Sequence, residues 1–123
     1  MVKEICLDTD VIIDILKSNA RAQHLAKNLG AYEVYTTTAN IFELFLRKTN
    51  KDTLESFVSA FHVLPFNYEC ARLASEIALS LDLKGRPVDF RDIFIASICI
   101  QNKLPLATFN TKHFSQIPGL KLV

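Results

Sequence analysis

Short apolar runs recur along the sequence, each too brief for a helix and each followed by a longer segment of helical period. Ile5-Cys6-Leu7 reads as the end of a buried strand over 3–7, and Val34-Tyr35-Thr36 as a second strand. Val63-Leu64, stopped by Pro65, gives a third, Leu106-Ala107 a fourth, and Leu120-Lys121-Leu122 offers a fifth. Between them the apolar spacing predicts a helix from near Thr9 to Ser18-Asn19, and another over 20–29 with Gly30 as its stop. Further helices are expected over 38–49, 52–61, 68–82 and 91–102, with Lys84-Gly85-Arg86-Pro87 as a loop. Strands alternating with helices in this way predict an α/β fold: a parallel sheet of four or five strands, covered by helices on both faces. The 123 residues fit a single domain over 1–123, with no repeat and no linker.

Half of the residues are apolar, and there are only three Gly and four Pro, which excludes disordered and collagen-like classes. Charges interrupt every apolar run before it reaches the length of a membrane span, so no membrane partner is expected. The opening residues MVKEICLDTD lack the features of a signal peptide, and a cytoplasmic location is expected. Fourteen basic and 13 acidic residues leave a net charge of +1, so no global positive field advertises nucleic acid, although a local cationic rim is compatible with that total. Cys6, Cys70 and Cys99 are odd in number and far apart, which fits neither a disulfide framework nor a zinc site and reads as buried reduced thiols.

In a parallel sheet, ligands bind beyond the carboxyl ends of the strands, so acids placed there carry the functional argument. Asp8 directly follows the first strand, at the positive N-terminal end of the next helix. It serves either chemistry or as that helix's N-cap, although Thr9 or Asp10 would cap equally well. Glu43 is the one charge among Ile41, Phe42, Leu44, Phe45 and Leu46, which spread around nearly the whole helix. A carboxylate in apolar surroundings needs a metal or a partner, and Arg47 at i+4 is the candidate partner. Asp89 and Asp92 bracket the start of the helix over 91–102. One is expected to cap it and the other to face the site, and periodicity does not say which. Asp14 and Asp82 read as solvated helix positions. Two carboxylates about 5 Å apart repel by roughly 3 kcal/mol at an effective dielectric of about 20. If Asp8, Glu43 and Asp92 converge, they either take up protons or hold a cation, and an all-oxygen site selects Mg²⁺ or Mn²⁺ over zinc.

Four stretches, Ile5 to Val11, Thr38 to Leu44, Gly85 to Ala96 and Leu106 to Phe114, resemble in this order the motifs of the PIN domain, and most closely the VapC-type toxins of toxin–antitoxin pairs. The resemblance implies a three-layer α/β/α fold and a Mg²⁺-dependent endoribonuclease, with Mn²⁺ as a substitute. Asp8, Glu43 and Asp92 would hold the metal, and Thr108 would hydrogen-bond the first acid. Asn110 stands where many PIN domains carry a fourth acid. It supplies no charge and leaves the number of metal ions open. An RNA substrate, a cognate antitoxin and a homodimer are the implied partners, with no DNA expected. The apolar helix around 41–46 also fits a contact with another chain, or enclosure within its own domain. His113 is expected on a surface helix. Lys3, Arg47, Lys84, Arg86, Arg91 and Lys112 are candidate rim cations.

Two alternatives stay open at this point. Asp8-Thr9-Asp10-Val11-Ile12 nearly matches the nucleophile motif of HAD-type phosphatases, in which Asp8 would attack covalently. A PIN module that binds RNA without cleaving it is the other. A receiver domain is excluded, because Val63 to Asn67 offers no acceptor Asp.

Overall fold

The computed structural model describes residues 2–86 and 88–123. Pro87, part of the expected loop and of the third stretch, lies outside the described residues. Four strands form one parallel sheet: β1 (Lys3–Leu7), β2 (Tyr32–Thr37), β3 (His62–Leu64) and β4 (Leu106–Ala107), in the order β3-β2-β1-β4. Among the described residues seven α-helices flank it: α1 (Thr9–Leu16), α2 (Gln23–Asn28), α3 (Thr38–Phe45), α4 (Lys51–Val58), α5 (Tyr68–Leu83), α6 (Phe90–Gln101) and α7 (Thr111–Phe114). The expected α/β architecture is thus present, with four strands. Leu120-Lys121-Leu122 contributes a single parallel bridge, Leu122 to Leu106, because β4 is only two residues long. Among the described residues no helix is long and apolar enough to cross a membrane.

Side chains alternate across a strand, and β1 divides the core accordingly. Cys6 packs with Ala74, Ile77, Ile95 and Cys99 under α5 and α6, whereas Ile5 and Leu7 pack with Val11, Ile12, Leu44 and Leu54 under α1, α3 and α4. Both faces of the central strand are therefore dry, which explains a continuous apolar run rather than an alternating one. All three cysteines are free and buried, as expected.

Local chemistry shifts several helix boundaries. The helix expected over 38–49 ends at Phe45, because Asn50 caps α4 by accepting from the backbone N–H of Asp52 and Thr53. The segment 20–29 divides into a 3₁₀ turn at Ala20–Ala22, α2, and a second turn at Leu29–Ala31. Gly30 lies within that second turn, just past the end of α2, and has no positive φ. A left-handed stop is found instead after α1, at Ser18 with φ 55°, where its N–H bonds the Ile15 carbonyl.

β1 pairs with β2 on one side and β4 on the other, so strand order reverses at β1. The crevice past Leu7 and Ala107 is where a parallel sheet places its ligand.

Candidate active site

Asp8 sits in that crevice and is only 6% exposed. It occupies the N-cap of α1, with Oδ1 accepting from the Thr9 backbone N–H at 2.9 Å. The acid that lies in the crevice is thus also the helix cap, and neither Thr9 nor Asp10 caps in its place. Oδ1 also accepts from Asn40 Nδ2 at 3.0 Å, and Oδ2 accepts from Thr108 Oγ1 at 2.6 Å. Burial nevertheless raises the Asp8 pKa from its ordinary value, against the three hydrogen bonds that lower it.

Asn40 is fully buried in the first turn of α3 and organises the second acid. Its Oδ1 accepts from Thr37 Oγ1 at 2.7 Å, while Nδ2 donates to Asp8 and, at 3.0 Å, to Thr9 Oγ1. Thr9 Oγ1 in turn donates to Glu43 Oε1 at 2.9 Å. Asp8 and Glu43, far apart along the chain, are thereby joined through one amide and one hydroxyl. From the sequence Asn40 had no role and Thr9 only that of an alternative cap. The available signal was an amide three residues before Glu43 on an apolar helix, hence on the same face.

Glu43 does not pair with Arg47. The nearest cation is Arg91 of α6, with Nη1 3.9 Å from Oε2, and α3 ends before a turn reaching Arg47 is complete. Burial raises the Glu43 pKa, the charges of Asp8 and Asp92 add to the rise, and Thr9 and Arg91 oppose it.

Of the two acids bracketing α6, Asp89 is the cap, accepting from the Arg91 N–H at 2.8 Å, and this bond holds its pKa low. Asp92 faces the site. Burial and then the charge of Asp8 raise its pKa, while His113, whose Nδ1 lies 3.5 Å from Oδ2, opposes the shift. His113 is on α7 and half exposed, as expected of a surface helix, yet it touches Asp92 and lies 3.0 Å from Asn110 Nδ2. The Asn110 backbone N–H donates to Thr108 Oγ1 at 3.0 Å, so that hydroxyl links Asp8 to the segment after β4.

Asp14 is not solvated. It is 5% exposed, paired with Arg21 and hydrogen-bonded by Asn19 Nδ2, and the Arg21 bond holds its pKa low. Asp10 is half-buried, with its pKa pushed up to about 6, first by burial and then by the Asp8 charge.

Asp8, Glu43 and Asp92 thus share one end of the sheet and sense one another's charge. Among the described residues no three Asp, Glu, His or Cys side chains form a ready-made ligand cage. A cavity of about 910 Å³ between β2 and α4, lined by Leu29, Tyr32, Phe57 and Phe61 among others, includes none of the three acids.

The PIN domain family model matches residues 5–120. The chain belongs to the PIN domain family. That assignment removes the phosphatase alternative for Asp8. This PIN domain is 27% identical over 122 residues to the tRNA(fMet)-specific endonuclease VapC of Shigella flexneri, covering 94% of this chain and 92% of that protein. It is 29% identical over 122 residues to Ribonuclease VapC1 of Methanocaldococcus jannaschii, covering 97% and 86%. The crystal structure of DNA-bound VapBC from Salmonella typhimurium superposes with a TM-score of 0.85 at 25% identity, covering 100% of this chain and 98% of that one. The resemblance to VapC-type PIN domains read from the four stretches is borne out.

Proposed function

We propose that this PIN domain is an endoribonuclease that hydrolyses RNA phosphodiester bonds with Mg²⁺, with Mn²⁺ as a substitute, and that it is the toxin of a VapBC-type pair. The network from Thr108 through Asp8, Asn40 and Thr9 to Glu43 carries the reading, because it holds two carboxylates in fixed rotamers at the strand ends. The relatives named endonuclease and ribonuclease support RNA as the substrate class. Asp8, Glu43 and Asp92 would hold the metal; the donor set is all oxygen, and a small hard ion that keeps several waters needs no complete protein cage. When bound, the ion neutralises phosphate charge and acidifies water.

The chain's own groups do the positioning. Thr108 and Asn40 fix both oxygens of Asp8, so its charge faces the crevice without rotamer freedom to lose. Thr9 fixes Glu43, and Arg91 beside it offers a guanidinium to a phosphate oxygen. His113 borders Asp92 and is itself met by Asn110.

A cognate antitoxin is the proposed partner, supported by the toxin–antitoxin complexes among the structural relatives. Whole VapBC complexes hold DNA in some of those structures, so the expectation of no DNA is not carried to an assembly containing this chain. A homodimer is proposed as well: α3 leaves Phe42 56% exposed, and Leu46 just after it is 61% exposed, an apolar pair that a second chain would cover. A cytoplasmic location fits this reading.

Purified protein free of any partner is expected to cleave structured RNA with Mg²⁺ or Mn²⁺ and to stop on chelation; no cleavage with either ion would end the reading. Glu43→Gln is expected to abolish cleavage while changing stability by less than about 1 kcal/mol, since a Gln carbonyl still accepts from Thr9 and the Arg91 contact is partly solvated. Urea melts check the second half, and a larger loss would make Glu43 a structural ion-pair residue.

The raised carboxyls also set a pH dependence. A carboxyl whose folded pKa exceeds its unfolded value binds more protons when folded. Its contribution is full below about pH 4 and is lost as pH rises towards about 6, the value reached by Asp10. Without divalent ions, melting temperature is therefore expected to fall across that window, offset in part by Asp14 and Asp89, whose pKa values are lowered. Mg²⁺ is expected to raise the melting temperature more at pH 7 than at pH 5, as scanning calorimetry at both pH values would reveal.

A further inference from the structure

We propose that Asp10, backed by the Arg21–Asp14 pair, is a positioning element that holds the Thr108–Asn110 segment against α1 so that Thr108 meets Asp8. The backbone pairing of β1 with β4 ends where the Asp8 N–H bonds the Ala107 carbonyl at 2.9 Å. Beyond that point side chains continue the ladder. Thr108 Oγ1 donates to Asp8 Oδ2 at 2.6 Å, and the Phe109 backbone N–H donates to Asp10 Oδ2 at 3.1 Å. β4 has two residues and α7 four, so the segment between them has little regular structure of its own to fix it.

The ring of Phe109 is held from a second direction. The Arg21 guanidinium lies 4.1 Å above its centroid, and Arg21 pairs with buried Asp14, which Asn19 also bonds. One residue of the segment is thus gripped by its backbone from α1 and by its ring from the turn after α1. The proposed chemistry uses none of Asp10, Asp14 or Arg21. Asp10 employs only one oxygen, since Oδ1 is buried without a partner. A position that needs one acceptor rather than a charge is one where an amide carbonyl suffices.

The kinetic arm of the test rests on the ribonuclease reading and the exchange arm does not. In the full chain without divalent ions, NMR-detected exchange of the Phe109 amide is expected to accelerate about fivefold or more in Asp10→Ala and to stay near wild type in Asp10→Asn. In RNA cleavage, Asp10→Ala is expected to lower kcat about tenfold or more with KM little changed, and Asp10→Asn to restore most of it. Arg21→Ala, at an exposed residue, keeps the test open should Asp10→Ala not fold, and is expected to shift both readouts in the same direction by less. An Asn variant as impaired as the Ala variant would overturn the proposal, because charge would then be what Asp10 supplies. Unchanged Phe109 exchange in Asp10→Ala and Arg21→Ala would overturn it as well. A wild-type chain that cleaves no RNA would sink the ribonuclease reading and leave the exchange arm to decide this one.

Discussion

Replacing Asp8 with Asn is expected to reduce RNA cleavage by at least about 10²-fold while the fold persists. The substitution is nearly isosteric, and its hydrogen bonds can be kept. An Asn carbonyl in the place of Oδ1 still accepts from the Thr9 N–H and from Asn40 Nδ2. The amide then replaces Oδ2 opposite Thr108 Oγ1, which turns its own hydrogen away and accepts instead. What disappears is the charge. Asp8 raises the carboxyls of Asp10, Glu43 and Asp92, so removing it relieves repulsion on three neighbours at once. Melting temperature without divalent ions is therefore expected to equal or exceed that of wild type at pH 7, and its response to Mg²⁺ to shrink. Asp92→Asn is expected to follow the same pattern. Cleavage assays paired with calorimetry decide the matter: an Asp8→Asn protein that cuts RNA at the wild-type rate shows that the carboxylate is not used. One that is inactive because it is unfolded shows that Asp8 is chiefly a cap.

Much of this site is legible in the sequence because its acids interrupt simple patterns. Asp8 ends an apolar run and Glu43 breaks an apolar helix, and both are found where those interruptions place them. Asp92 is reached with a choice between two residues, and the choice needs backbone geometry: Asp89 is the N-cap of α6, whereas Asp92 lies in its first turn. The partners of these acids are less legible. The i+4 rule offers Arg47 to Glu43 on the premise that α3 continues, but Asn50 starts the next helix and leaves Arg91, remote along the chain, to approach instead. Asp14 looks like any solvated helix acid until Arg21 and Asn19 cover it, which depends on how the chain turns after α1. Asn40 is similar. Its amide serves Asp8 across 32 residues, a relation that no local period encodes.

That amide is also where the smallest chemical change should have the largest structural effect. Asn40→Asp exchanges an NH₂ for an oxygen 3.0 Å from Asp8 Oδ1, within a fully buried residue. Two ionised carboxylates at that separation repel by about 5 kcal/mol at an effective dielectric of about 20, before protonation or relaxation reduces the figure. The variant also loses a charge-assisted hydrogen bond of about 1.5 to 3 kcal/mol. A net loss of about 2 to 3 kcal/mol at pH 7 is expected, equivalent to a fall of roughly 10 °C in melting temperature for a chain of this size. The penalty vanishes in acid. Once protonated, the introduced carboxyl again carries a donor towards Asp8, and its folded pKa exceeds its unfolded value. The penalty is therefore absent below about pH 4 and develops as pH rises. Melts of wild type and Asn40→Asp at about pH 4.5 and pH 7 should converge at the lower value and separate at the higher one. A deficit of equal size at both pH values would mean that Asn40 acts through shape alone, and that its bond to Asp8 does not hold the two walls of the crevice together.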